Sequence, residues 1–201
     1  MTITRPGRTF LLTLLASVLV GSTGCAAAVA PAPAIVRRIA VLPPFDATGA
    51  PLSPRAPADL GAAPTLGLGA ILASEARTQL ARQGFEVVDP NLVETATGGR
   101  VPSSPEMAAE ILRSVKLDAA GLFMRVRRWE FPYPTFRTDE VIVSLDALLV
   151  DPTSGQIVWQ VRRPAKPVPL HGVAIGGQAD AVAAEEVMKE VLAPLGQRLP
   201  S

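Results

Sequence analysis

Cysteine and histidine are almost missing from this 201-residue sequence, which has one of each, Cys25 and His171. A lone cysteine closes no internal disulfide, and with a lone histidine it builds no Cys/His metal site. An excess of one charge is missing too, since 19 basic residues stand against 18 acidic ones. A near-neutral surface exerts no general pull on nucleic acid. Long apolar runs are also lacking. The run Phe10–Val20 has 11 residues, well short of the about 20 that a membrane-crossing helix needs.

Catalytic patterns are scarce. Serine-hydrolase, metal and thiol signatures do not occur. Gly67-Leu68-Gly69 precedes a helical stretch, but a third glycine and a following lysine are missing, so no nucleotide cofactor is implied. Asp139 and Glu140 are neighbours, and neighbours on a strand point to opposite faces. His171 has no Ser, Cys or acid beside it in sequence and reads as a surface residue. The sequence therefore predicts no enzyme, no catalytic residue, no metal ligand and no cofactor.

What is present begins with a leader. Residues 1–24 carry Arg5 and Arg8, then the apolar run, then Gly21-Ser22-Thr23-Gly24. Cationic start, short apolar centre and small residues at the cut make a signal peptide. Ser22-Thr23-Gly24-Cys25 resembles the bacterial lipobox, with Ser22 where leucine is usual. The resemblance implies diacylglyceryl attachment to the Cys25 thiol and a membrane anchor at the mature N-terminus. Two or more acyl chains, at about 0.8 kcal/mol per buried methylene, hold such an anchor stably. Ala26 stands where an aspartate commonly retains lipoproteins at the inner membrane, which favours the outer membrane. Residues 25–34, rich in Ala and interrupted by Pro31 and Pro33, form a tether that reaches up to about 30 Å. Residues 35–201 then form one domain.

Within that domain, Ile35–Leu42 reads as a strand stopped by Pro43-Pro44. Asp46–Pro64 reads as a long loop. Leu66–Gln83 is a helix, with Leu68, Ile71, Leu72, Ala76 and Leu80 on one face and Gly84 as its C-cap. Phe85–Asp89 is a short strand, and Asn91–Val101 a loop or a helical turn. Ser103 with Glu106 forms a capping box for a helix whose inner face is Met107, Ile111, Leu112 and Val115. Ala119–Phe131 and Glu140–Val150 are long strands. The turn Asp151–Gly155 joins the second of these to Gln156–Arg163, making an antiparallel meander. Pro164–Gly177 is irregular. Asp180–Leu195 is the last helix, with Val182, Val187, Val191, Leu192 and Leu195 inward and Pro194 ending or kinking it. The fold class is α/β (α+β): a single mixed sheet of about five strands, with helices packed mainly on one face, in the order β-α-β-α-β-β-β-α.

One surface feature stands out. Phe123, Arg125, Arg127 and Trp129 alternate onto one face of the long strand. Tyr133 and Phe136 crowd the adjacent loop, and Arg162 and Arg163 follow in the partner strand. Arginine and aromatic residues are enriched at interface hot spots. The plainer alternative is a solvated sheet face whose arginine stems cover apolar surface. Asp146 lies opposite to Leu145 and is expected to be solvated or paired.

Four stretches together carry a family likeness: Ile39–Phe45 (IAVLPPF), Gly84–Pro90 (GFEVVDP), Gly121–Trp129 (GLFMRVRRW) and Leu145–Trp159 (LDALLVDPTSGQIVW). They resemble the periplasmic lipoproteins that share the fold of the TolB amino-terminal domain. Those include the curli-secretion lipoprotein, penicillin-binding-protein activator lipoproteins and a neisserial surface lipoprotein family. The likeness spans roughly residues 38–163. It implies a non-enzymatic envelope protein, often oligomeric or part of an assembly, with an envelope protein as partner. Asp46–Pro64 shows no membrane-inserting β-hairpin pattern and so departs from a curli-type pore. Two other classes remain as alternatives, a carrier of lipid or a small apolar ligand and a periplasmic hydrolase. A deep apolar pocket would favour the carrier, convergent titratable groups the hydrolase, and a flat exposed aromatic-arginine patch the binding protein.

Overall fold

The computed structural model describes residues 36–49, 67–131, 140–171 and 177–196. Pro43 and Pro44 end β1 (Arg38–Val41), as neither residue can donate to a ladder. The chain then resumes at once as β2 (Phe45–Asp46), where the sequence predicts a loop from Asp46 onward. Both strands lie parallel to β4 (Ala120–Glu130): Ile39 faces Ala120, and Phe45 faces Arg125. The remainder of the predicted loop, from residue 50, is outside the described residues.

A helix, α1 (Leu68–Arg82), leads from this edge to β3 (Glu86–Val87), which pairs parallel with β1. Gly84 ends α1 as predicted. At φ +84° its N–H reaches the Ala81 carbonyl at 3.0 Å, while Phe85 N–H reaches that of Leu80 at 3.1 Å. This two-bond closure needs a left-handed residue, which glycine supplies without strain.

The segment read as loop or turn is a helix, α2 (Pro90–Thr97). Its signals lie at its ends. Asp89 caps the Asn91 N–H at 2.8 Å, Pro90 takes the first turn, and Gly98 closes it at φ +58°. A third helix, α3 (Pro105–Ser114), is capped by Ser104, not Ser103: the Ser104 hydroxyl accepts from Met107 N–H at 3.3 Å. Its buried face is Ala108, Ala109, Ile111 and Leu112, while Met107 and Val115 are exposed. The register of the cap decides this, since a one-residue shift turns a helix by about 100°.

β4, β5 (Glu140–Val150) and β6 (Ile157–Pro169) form the predicted antiparallel meander. Val141, Val143, Leu145, Ala147 and Leu149 share one buried face, as their alternation requires. Asp151 makes the turn, accepting from Thr153 and Ser154 N–H, with Gly155 at φ +73°. β6 continues through Pro164, Pro167 and Pro169, six residues beyond the predicted end at Arg163. It is an edge strand, and prolines are tolerated where an N–H would face outward. The last helix, α4 (Gly177–Gly196), keeps Pro194 inside its final turn.

The sheet is mixed, with strand order β3-β1-β4-β5-β6 and β2 beside β4. That matches the α/β class and adds one short strand to the predicted five. The two long helices share one face, and the two short ones lie on the other. α1 and α4 cover one face, where Ile39, Leu122, Leu145 and Trp159 meet Leu72, Leu80, Val187 and Leu192. α2 and α3 cover part of the other, where Leu42, Phe123 and Val150 meet Val93, Ala108 and Leu112. Gly121 is where α3 comes closest. A Cβ there would lie 2.4 Å from Leu112 Cδ1 and 3.3 Å from Leu42 Cδ1.

Gly121→Ala should therefore destabilise the fold by about 1–3 kcal/mol through overpacking. Leu112→Ala alone should cost about 2–5 kcal/mol. The double variant should cost less than the sum, because the new methyl occupies the vacated space. Urea unfolding of the three proteins measures the coupling, and strict additivity would refute the contact.

Candidate partner surface

The register of β4 decides where the predicted strip lies. Val126 faces Leu145 and Arg128 faces Ser144, so Arg127 is an extra residue without an opposite number. Such a bulge inverts the alternation that follows it. Trp129 consequently does not share a face with Arg125 and Arg127. It packs on the α1/α4 core, and its indole N–H donates to Asp180 Oδ1 on α4 at 2.9 Å. Phe123 is on the Arg125 side but fully buried, so it offers no surface. Tyr133, Phe136 and the lipidation candidate Cys25 lie outside the described residues.

What the fold does bring together is a group of arginines around one carboxylate, on the sheet face away from α4. Arg125, Asp146 and Arg162 form a single row across β4, β5 and β6. Asp146 Oδ2 receives Arg127 Nε at 2.6 Å, and Oδ1 lies 3.5 Å from Arg162 Nε. The Asp146 side chain is only 12 % exposed, whereas that of Arg162 is 67 % exposed. Beyond the bulge, Arg128 grips Glu130 Oε2 through Nε at 2.9 Å and Nη2 at 2.7 Å. Arg125 is held differently. Its guanidinium carbon lies 5.9 Å from the ring centres of both Phe45 and Phe123, within cation–π range. Its Nη2 donates to the Ser103 carbonyl at 3.3 Å, and its buried Nε has no hydrogen-bond partner among the described residues.

Arg162 thus joins the predicted strip, while its neighbour Arg163 goes to the other face. There it is buried, at 3 % exposure, and bonds Glu190 Oε2 on α4 at 2.9 Å. Lys166 reaches the same carboxylate, and Arg163 Nη1 also donates to the Val143 and Lys166 carbonyls. Burial pushes the Glu190 carboxyl up, but hydrogen bonds and charge from Lys166 and Arg163 outweigh it and hold the group below its usual range. Asp180 is the opposite case. Burial pushes it up, and the Trp129 hydrogen bond only partly offsets this.

The roles of Asp146, Arg128 and Phe45 escaped the sequence. Strand alternation placed Asp146 on the face away from Leu145, but only strand register reveals that the two flanking strands deliver arginines around it. A cavity of about 710 Å³ opens at the other end of the sheet, beside Val36, Arg37, Arg38, Glu86, Asp118 and Asp151. Among the described residues no group of three or more His, Cys, Asp or Glu could hold a metal. No described helix is long and apolar enough to cross a membrane.

The α4 contacts bear on stability, which chemical denaturation of each variant measures. Arg163→Met should cost about 3 kcal/mol, because two carbonyls and a carboxylate lose a buried donor. Glu190→Gln should cost about 1 kcal/mol or less, as the carboxylate is 42 % exposed and screened. The raised pKa of Asp180 means the fold binds its proton more tightly than the unfolded chain does. The stability this gives is complete below the unfolded pKa and is lost as pH rises through the folded one. Asp180→Asn should accordingly be more stable than wild type at pH 7, with the gap closing below about pH 4. Chemical denaturation across that range tests it, and a constant gap would contradict the assignment.

No protein-family model matches the sequence, and no curated protein matches it. Solved structures do match. The lipoprotein GNA1162 of Neisseria meningitidis is 21 % identical over 76 % of this chain and 96 % of its own, at a TM-score of 0.47. The PelC dodecamer of Paraburkholderia phytofirmans is 20 % identical over 85 % of this chain and 96 % of its own, at a TM-score of 0.51. This chain shares the fold of PelC over nearly the whole length of that protein, and the likeness is one of fold.

Proposed function

We propose that this chain is a lipid-anchored protein of the bacterial cell envelope, facing the periplasm. It acts as a non-enzymatic binding or accessory component in envelope assembly, secretion or cell-wall maintenance. The observation that carries this reading is the partly bare face of β4–β6, where Arg127, Arg128 and Arg162 stand exposed around the nearly buried Asp146 with no described helix over them. A cluster of arginines on a sheet face suits the recognition of another protein. The leader and Cys25 support the anchor, and Ala26 favours the outer membrane. Self-association is supported by PelC, which shares the fold and is a dodecamer.

The carrier alternative calls for an enclosed apolar chamber. The cavity beside Arg37, Arg38, Glu86, Asp118 and Asp151 is lined also by Val36, Ala119, Ala120 and Val158, and it is open to solvent where such a chamber would be enclosed.

Mass spectrometry of the protein purified from its native membrane should find residues 1–24 removed and Cys25 acylated. Crosslinking and affinity purification from those membranes should enrich envelope proteins relative to a Cys25→Ala control, which should be released in soluble form. An intact, unacylated N-terminus, or no enrichment over the control, would refute the proposal.

A further inference from the structure

A sheet ends in rows of unpaired backbone groups, and such a row takes up strands from other molecules unless something blocks it. This sheet ends at β3 and at β6. β3 is two residues long, too short to seat a strand. β6 has thirteen residues, and among the described residues no strand lies beyond it.

The register tells which backbone groups of β6 point outward. In an antiparallel ladder, opposed residues alternate between pairs that exchange two hydrogen bonds and pairs that exchange none. Pro167 faces Ile142, and Pro169 faces Glu140. A proline has no N–H to exchange, so these are the non-bonded pairs, and both prolines turn their backbone outward. The bonded pairs are then Val141–Val168, Val143–Lys166, Leu145–Arg163 and Ala147–Val161. The Asp151 N–H, which donates to the Gln156 carbonyl at 2.9 Å, continues the same odd-numbered series. From Arg163 onward the N–H groups of residues 163, 166 and 168 are therefore spent on β5, and positions 164, 167 and 169 have none. Only Ala165, in the irregular stretch opposite Ser144, keeps one to offer. Between that stretch and the register shift after Ile157, the outward N–H groups are those of Gln160 and Arg162. Arg162 is 67 % exposed and Lys166 46 %, so two copies meeting edge to edge would also bring cations together.

We propose that β6 is a guarded edge: its prolines withhold the N–H groups through which a second copy of this chain would extend the sheet. Contacts between copies, and with other proteins, are left to side chains on the faces. The inference deepens the reading of the chain as an anchored binding protein and rests on it. Copies held on one membrane are crowded together, and an open edge of this length would join them without selection. Outward prolines remove donors from the free side of β6 and leave its bonds to β5 intact, so the sheet keeps its last strand and loses its template.

The test uses the full chain carrying Cys25→Ala, which removes the acylation site. Pro167→Thr/Pro169→Thr restores two outward N–H groups at exposed positions, with polar residues suited to a strand. Sedimentation should then show association beyond that of the parent, rising with concentration toward about twice the parent's mass. Amide exchange at positions 167 and 169 should slow by about tenfold or more over the same range. No added association would overturn the proposal, as would association that leaves those two amides unprotected. If the double variant does not fold, exchange in the parent decides. The Gln160 and Arg162 amides should exchange about tenfold or more faster than those of Val161 and Arg163. Equal protection would mean that the edge is already occupied, and the proposal would fall. Native-membrane crosslinking reads the accessory function separately. Envelope proteins captured there, together with a double variant that gains no association, would remove the guard and leave that function standing.

Discussion

Two irregularities in strand pairing, at the same level of the sheet, decide which side chains meet. In β4 the extra residue is Arg127. In β6 the shift falls at residues 164–165, where Leu145 faces Arg163 but Val143 faces Lys166. Ser144 lies between them, its hydroxyl donating to the Arg163 carbonyl at 3.2 Å. Without the first bulge, Trp129 would project with the arginines instead of reaching Asp180. Without the second, Arg163 and Lys166, three residues apart, would point to opposite faces and could not share Glu190. A bulge inserts one residue into a period of two, so everything beyond it changes sides.

The result is a sheet with a division of labour. One face binds α1 and α4 through an apolar core, stitched at its rim by Arg163–Glu190 and Trp129–Asp180. The other face is apolar where α2 and α3 lie, and carries Arg125, Asp146 and Arg162 beyond. That boundary runs along β4 itself: Phe123 is buried under the helices, while Arg125, two residues on, bridges their edge through Ser103 and Phe45. Buried carboxylates are costly unless paired, and Asp146 is paired through Oδ2 with Arg127 and lies near Arg162 at Oδ1.

Much of this fold was legible. The β5 strand ran from Glu140 to Val150 as its alternation required, and the Asp151–Gly155 turn used its aspartate and glycine as turn chemistry demands. The α1 helix and its Gly84 stop were equally plain. What failed to show were features with weak or competing local signals. At residues 90–97 a short helix carried too few apolar positions to display a period, and only its caps betrayed it. Ser103 and Ser104 are both good caps, and nothing local chose between them. The prolines of β6 argued for a loop, and only its place at the sheet edge made a strand acceptable.

The same distinction applies to the candidate site. Sequence alone determined five of the six strands, though not the full length of β6, together with the apolar face of β4 up to Val126 and the concentration of arginine on β4 and β6. These depend on alternation and turn chemistry, which act over a few residues. The tertiary structure alone decided that Trp129 leaves the strip, that Phe123 lies beneath a helix, and that Asp146 collects arginines from both flanking strands. The first and last depend on the register between strands, which pairs residues such as Arg127 and Asp146, 19 apart in sequence, and a shift of one residue there moves a side chain through the sheet to the other face; the burial of Phe123 depends on the packing of α3.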